Sequence, residues 1–238
     1  MIKPYYSADG ITVYHARFED VLAAGLVPVP EVALIHADPP YGISLKTNGS
    51  AVRRSANANA ICPSRNFPAI VNDDRPFDPA PLLALDRPTV LWGANHYAPR
   101  VPESPSWILW DKRDGDRQNN NADGELAWSN FGGPLRIFRH LWMGLVRASE
   151  HGPTMHPTQK PIALSAYVFN RAKLKRGALV FVPFLGSGPD LPAARAMGLR
   201  VVACDVERWC CDTAISRLGA VTATRAAEPV GPLFGGAS

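Results

Sequence analysis

Apolar residues along this chain gather in short runs, and several of these runs are followed by stretches of helical period. Runs bounded by Pro, Gly, Asp or Asn read as buried strands, and the periodic stretches between them as helices. The pattern predicts strands over Ile11–Tyr14, Val32–Ala37, Pro88–Trp92, Trp107–Trp110, Leu135–Trp142, Ala178–Phe184 and Arg200–Asp205. It predicts helices over about Phe18–Ala24, Pro161–Leu174, Leu191–Met197 and Arg208–Leu218. Pro161 suits a first helical turn, where a backbone N–H is not needed. Strands alternating with helices indicate a mostly parallel α/β sheet with helices on both faces. Residues 42–80 and 111–157 are the long connections, rich in Asn, Ser, Pro and Arg; the second is interrupted by the 135–142 run. Long connections inside a compact domain are usually functional.

Composition narrows the class. The 238 residues fit one domain over 1–218 followed by a flexible tail over 219–238. A 46% hydrophobic and 19% charged content is globular, and the net charge of +4 is compatible with a polyanionic partner. Cys62, Cys204, Cys210 and Cys211 show no metal-ligand spacing and read as reduced thiols of a cytoplasmic protein. No metal is expected. No apolar run approaches membrane-spanning length, and no leader segment is read at the start of the chain.

The first chemical signal is Asp38-Pro39-Pro40-Tyr41, at the end of the Val32–Ala37 run. Two successive prolines remove two N–H donors and fix φ, so the Pro39 carbonyl can face a cleft without a competing donor. Asp38 and that carbonyl can together accept both hydrogens of an exocyclic amine. Tyr41 can stack on the flat ring that carries it, an arrangement suited to a nucleobase taken out of its stack. Taken alone, the tetrapeptide is also compatible with a plain strand-to-loop exit.

The second signal is Pro183-Phe184-Leu185-Gly186-Ser187-Gly188, a glycine turn between a predicted strand and helix; the next strand ends at Asp205. Glycines there let backbone approach a ligand, and an acid at the next strand end suits two ribose hydroxyls. The third glycine of a dinucleotide fingerprint is replaced by Leu191, and no P-loop Gly-Lys-Ser/Thr follows. The third signal is His156-Pro157-Thr158-Gln159-Lys160-Pro161, just before a helix. Thr158 could cap that helix, and Lys160 could meet a ligand carboxylate there.

Together, D-P-P-Y, then H-P-T-Q-K-P, then P-F-L-G-S-G resemble the amino-methyltransferases of DNA that use S-adenosylmethionine. With D-P-P-Y first and the glycine strand near the C-terminus, the order is similar to that of the β-class, a circularly permuted form. Leu91–Tyr97 and Trp110–Arg113 are also similar to small bacterial and phage members.

The resemblance covers roughly residues 5–218 and implies a Rossmann-like seven-stranded sheet. It implies methyl transfer from S-adenosylmethionine to adenine N6, with Asp38, Pro39, Pro40 and Tyr41 at the target base. Ser in place of Asp38 is commoner in N4-cytosine members. The cofactor would be held by His156, Lys160, Pro183, Phe184, Gly186, Ser187, Gly188 and Asp205. Arg53, Arg54, Arg65, Lys112 and Arg113 would meet double-stranded DNA, with Arg117 beside them.

The implied partners are that DNA, a cognate endonuclease of a restriction–modification pair, and a second copy if the protein is a homodimer rather than a monomer. Pro232-Leu233-Phe234 in the tail could dock on a replication clamp. The chain departs from the family in its cofactor half. Val182 stands where an acid is usual, Pro189-Asp190 replaces Thr-Thr, and Ala16-Arg17 replaces Gly-Asp. An N4-cytosine enzyme and a DNA-binding relative without cofactor are therefore alternatives. An RNA methyltransferase is a third.

Overall fold

A computed structural model of the chain describes residues 1–47, 67–113, 122–143 and 146–227, with backbone alone beyond 219. The expected phosphate contacts Arg53, Arg54, Arg65 and Arg117 lie outside the described residues, as do Cys62 and the 232–234 tail segment.

The elements run β1 (Tyr6–Ala8), β2 (Ile11–His15), α1 (Phe18–Ala23), β3 (Val32–Ala37), α2 (Ala80–Leu83) and β4 (Thr89–Trp92). They continue with β5 (Trp107–Asp111), β6 (Gly124–Ser129), β7 (Arg136–Arg139), β8 (Trp142–Met143) and β9 (Val146–Arg147). The chain then forms α3 (Ile162–Arg171), β10 (Leu179–Val182), α4 (Asp190–Met197), β11 (Arg200–Asp205) and α5 (Arg208–Ala227). Nine strands form one sheet in the order β1-β2-β11-β10-β3-β4-β6-β5-β7; β8 and β9 make a separate hairpin. The centre, β2-β11-β10-β3-β4, is parallel throughout, while β6 is antiparallel to both its neighbours.

The sheet is a three-layer core because its strands are apolar on both sides. Leu34, Val180 and Val201 point into one cluster with Val168 and Phe169 of α3, Leu191 of α4 and Ala214 of α5. Their neighbours Ile35, Phe181 and Val202 point into the other, with Phe18 and Val21 of α1 and Leu82 of α2. The Rossmann-like α/β class is as expected.

Four expectations are corrected. The sheet has nine strands among the described residues, not seven. The 124–129 stretch, read as polar connection, is a strand because β4 and β5 pair with it from both sides. The 135–142 run breaks into β7 and β8, which join different sheets. The last helix continues to Ala227, so the segment after 218 begins as helix rather than tail.

Topology fixes where a ligand goes. From β10 the chain passes through α4 to β11 on one side; from β3 it passes to β4 on the other. The crevice at the C-terminal ends of β10 and β3 is therefore a switch point of strand order, the place where open α/β sheets bind ligands. D-P-P-Y leaves β3 there and the glycine turn leaves β10 there.

Candidate active site

Asp38 is half-buried at the end of β3, and both its oxygens are engaged. Oδ1 accepts the Tyr41 hydroxyl at 2.8 Å, and Oδ2 accepts the Lys160 ammonium at 2.6 Å. The same ammonium donates to Tyr41 Oη at 3.1 Å and lies 3.0 Å from Glu125 Oε2. Glu125, near the start of β6, binds Lys112 through Oε1, and the Lys112 ammonium lies 4.7 Å over the Trp110 ring.

Five side chains from β3, β5, β6 and the segment before α3 thus form one polar cluster. Burial alone would lower the Lys160 pKa, yet Asp38 and Glu125 outweigh it and hold it above its ordinary value. Burial pushes the Glu125 carboxyl up, but Lys160 and Lys112 prevail and bring it down to about 2. Burial, with the Asp38 and Glu125 charges, raises the Tyr41 phenol well above its usual range, so it stays protonated.

Several expected roles meet a different geometry. Lys160 does not face an open helix end; it lies on two protein carboxylates. Thr158 does not cap α3. Its N–H and hydroxyl lie on His156 Nδ1, at 3.2 and 3.1 Å, and the cap comes from Glu150, which accepts the Ile162 N–H at 2.7 Å. Pro161 is the N-cap rather than the first helical residue. The Tyr41 ring has one face already stacked on exposed His96, 5.2 Å between centroids and 16° between planes. It also lies tightly against Gly93, where an added Cβ would come within 2.1 Å of it. Lys112 and Arg113, expected on phosphate, are paired with Glu125 and Asp123. Pro39 is buried and Pro40 half-buried beside them.

The other half of the crevice holds Asp205. Its Oδ2 accepts the Gly186 N–H at 2.8 Å and its Oδ1 the Glu207 N–H at 2.9 Å. Each oxygen keeps a lone pair for a hydroxyl. Phe184 stands edge-on to Phe18 and Phe77, at 5.3 and 5.5 Å. Pro183 is buried, and its carbonyl accepts the Cys204 thiol at 3.5 Å. His156 stacks on Trp209 at 4.9 Å, and burial, then Lys160 and Arg217, lower its pKa to about 4. The buried indole N–H of Trp209 finds no acceptor among the described residues.

An orphaned donor, a carboxylate with spare lone pairs and aromatic walls fit an adenosyl group. The other residues of the glycine turn face inward. Ser187 Oγ accepts from buried Arg217 at 2.8 Å, and a Cβ on Gly188 would come 2.3 Å from the Ala214 methyl of α5.

The three departures also find their places. Asp190 is buried and lies 2.6 Å from His36 Nδ1, while His36 Nε2 accepts the Trp92 indole N–H at 2.8 Å. Asp190 thus ties α4 to β3 and does not face the crevice as a substitute acid. Arg17 turns outward and pairs with Glu19 at 3.3 Å. Val182, 1% exposed, is part of the apolar core.

Sequence reasoning missed Glu125, Arg217 and Asp73. Glu125 carries no motif. Arg217 stands in the α5 stripe Cys210, Ala214, Leu218, and a charge in an apolar stripe was a usable signal of a buried brace. It binds Ser187, the Lys160 carbonyl at 3.1 Å and Glu150. Asp73 accepts the N–H groups of Gly42, Ile43 and Leu45 and so holds the chain leaving D-P-P-Y.

The parallel centre and the switch-point crevice define a Rossmann-like α/β architecture. No protein-family model matches the chain. The chain is similar to two proteins named as Type II methyltransferases. It is 23% identical over 247 aligned positions to the Type II methyltransferase M2.LlaDCHI of Lactococcus lactis subsp. cremoris, covering 87% of this chain and 89% of that protein. It is 27% identical over 144 positions to the Type II methyltransferase M2.DpnII of Streptococcus pneumoniae, a match spanning 57% of this chain and 52% of that one. Among solved structures the PvuII DNA methyltransferase (cytosine-N4-specific) superposes with a TM-score of 0.57 at 12% identity, covering 91% of this chain and 89% of that one. At that identity the likeness speaks for the fold.

Proposed function

We propose that this protein is a DNA amino-methyltransferase that uses S-adenosylmethionine and methylates adenine N6. The observation that carries the reading is Asp38. It is an acceptor at the mouth of the switch-point crevice, held at a fixed angle by Tyr41 and Lys160 and set opposite the Asp205 end. S-adenosylmethionine supplies an electrophilic methyl on a cationic sulfur. The amine lone pair would form the new C–N bond as the S–C bond breaks and its electrons stay on sulfur, and the Asp38 carboxylate would accept the proton that the nitrogen loses.

The chain's part is placement. Asp38 and the Pro39 carbonyl accept the amine hydrogens and aim the lone pair, and Asp205 with Trp209 fixes the adenosyl end. Tyr41, kept neutral, orients Asp38. No nucleophilic cysteine is needed. Burial, with the Asp205 charge, keeps the Cys204 and Cys210 thiols above their usual range.

Adenine is favoured by Asp at position 38, where the resemblance puts Ser in cytosine-directed members. The test is to incubate the protein with duplex DNA and methyl-labelled S-adenosylmethionine, then digest and separate the nucleosides. Label in N6-methyladenine, absent with Asp38→Ala, is the expected result. Label in N4-methylcytosine would overturn the base assignment. A folded protein that binds the cofactor but labels neither base would overturn the activity.

A further inference from the structure

Lys160 lies on Asp38, the acceptor proposed for the target amine. Its ammonium has three hydrogens and three acceptors around it, Asp38 Oδ2 at 2.6 Å, Glu125 Oε2 at 3.0 Å and Tyr41 Oη at 3.1 Å. Its side chain is 7% exposed, so no water competes freely. Asp38 thus carries the Tyr41 hydroxyl on one oxygen and the Lys160 cation on the other, and each oxygen keeps a lone pair. We infer that Glu125 is a positioning residue which shares the Lys160 ammonium with Asp38, and that the charge balance of this cluster sets the site's preference between a cationic and a neutral sulfur ligand. The inference rests on the methyltransferase reading above.

Three features make Glu125 the second carboxylate of the cluster. Its Oε2 lies 3.0 Å from the same nitrogen and 3.1 Å from the Tyr41 hydroxyl. Its other oxygen is held by Lys112, which is itself laid over Trp110. Its backbone is fixed in β6 opposite Trp110 of β5. Asp38, Glu125, Lys112 and Lys160 sum to zero formal charge.

A methyl group in flight must stand about 3–3.5 Å from an amine that Asp38 holds. A sulfonium bound there would share the crevice with Lys160. Two cations in one partly desolvated site repel unless acids compensate them. The site departs from the family by carrying Val182 in place of an acid, which leaves the Asp38–Glu125 pair as the source of that compensation.

The experiment is calorimetric titration of the whole protein with S-adenosylmethionine and with S-adenosylhomocysteine, which lacks the methyl and carries a neutral sulfur. The quantity read is the ratio of the two affinities. Glu125→Gln takes the cluster to +1 and is expected to shift the ratio toward the neutral ligand by roughly tenfold. Lys160→Met takes it to −1 and is expected to shift the ratio the other way by a similar factor. Lys112→Gln, more exposed, repeats that second shift if either buried variant does not fold, as judged by its melting transition. A purely structural role would weaken both ligands together and leave the ratio alone. Ratios within twofold of wild type in folded variants overturn the inference. Wild-type protein that binds neither ligand overturns the methyltransferase reading, and this inference with it.

Discussion

At the residue scale the site depends on which groups are kept from ionising. His156 is the clearest case. Burial, then Lys160 and Arg217, lower its pKa from the usual 6.5 to about 4. A depressed pKa means that the unfolded chain takes up the proton first. The stability contributed by neutral His156 is complete above about pH 6.5 and is lost as pH falls through about 4. The gap corresponds to a loss on the order of 3 kcal/mol across that window.

His156→Phe keeps a ring against Trp209 but has no proton to gain. Urea unfolding midpoints for both proteins between pH 7 and pH 4 should converge, or cross, as the wild type weakens. A constant difference across the window would show that His156 does not carry the acid sensitivity. The residue itself was legible, because H-P-T-Q-K-P stands out in the sequence. Its chemistry was not, because Trp209 and Arg217, which stack on it and charge its surroundings, both come from α5, far along the chain.

At the element scale the glycine turn carries contacts that the motif does not spell out. Gly186 donates its N–H to Asp205. Gly188 packs closely against α5. Its φ is +62°, and a Cβ there would lie 2.3 Å from the Ala214 methyl and 2.9 Å from that residue's Cα. Neither the backbone nor α5 can yield cheaply. Gly188→Ala is expected to cost about 2–4 kcal/mol from left-handed strain and overpacking together. The same change at Gly186, whose added Cβ would meet only the His156 ring at 3.8 Å, should cost less. Denaturant unfolding of the two variants checks the order, and equal losses would count against the packing role.

Elements with a strong local period, β3, α3, β10, α4 and β11, were legible to within two or three residues at their ends. β6 was not. Gly124–Ser129 follows a run of asparagines, and its strand character comes from β4 and β5 on either side. With β6 unread, Glu125 had no place in the site.

At the scale of the whole molecule, the question is which charges meet DNA. The net charge of +4 is small, so a phosphate footprint has to come from particular residues. Of the described candidates, Lys112 lies on Glu125 and Trp110, and Arg113 on Asp123, with side chains 19% and 13% exposed. A cation neutralised within the fold releases few counterions when DNA binds. Replacing it should leave the salt dependence of binding unchanged.

Arg53 and Arg54 follow the D-P-P-Y strand in sequence, and Asp73 ties together residues 42–45 at the start of that connection. They are therefore the stronger candidates for phosphate contact on position alone. The slope of log affinity against log salt should shrink by about 0.9 for each phosphate that the protein no longer neutralises. Arg53→Ala with Arg54→Ala is expected to reduce it by roughly two, while Lys112→Gln leaves it where it was and impairs methyl transfer instead. Fluorescence anisotropy with a labelled duplex between low and physiological salt separates the two. A slope that falls with Lys112→Gln but not with the arginine pair would reverse the assignment, placing β5 rather than the 42–80 connection on the DNA backbone.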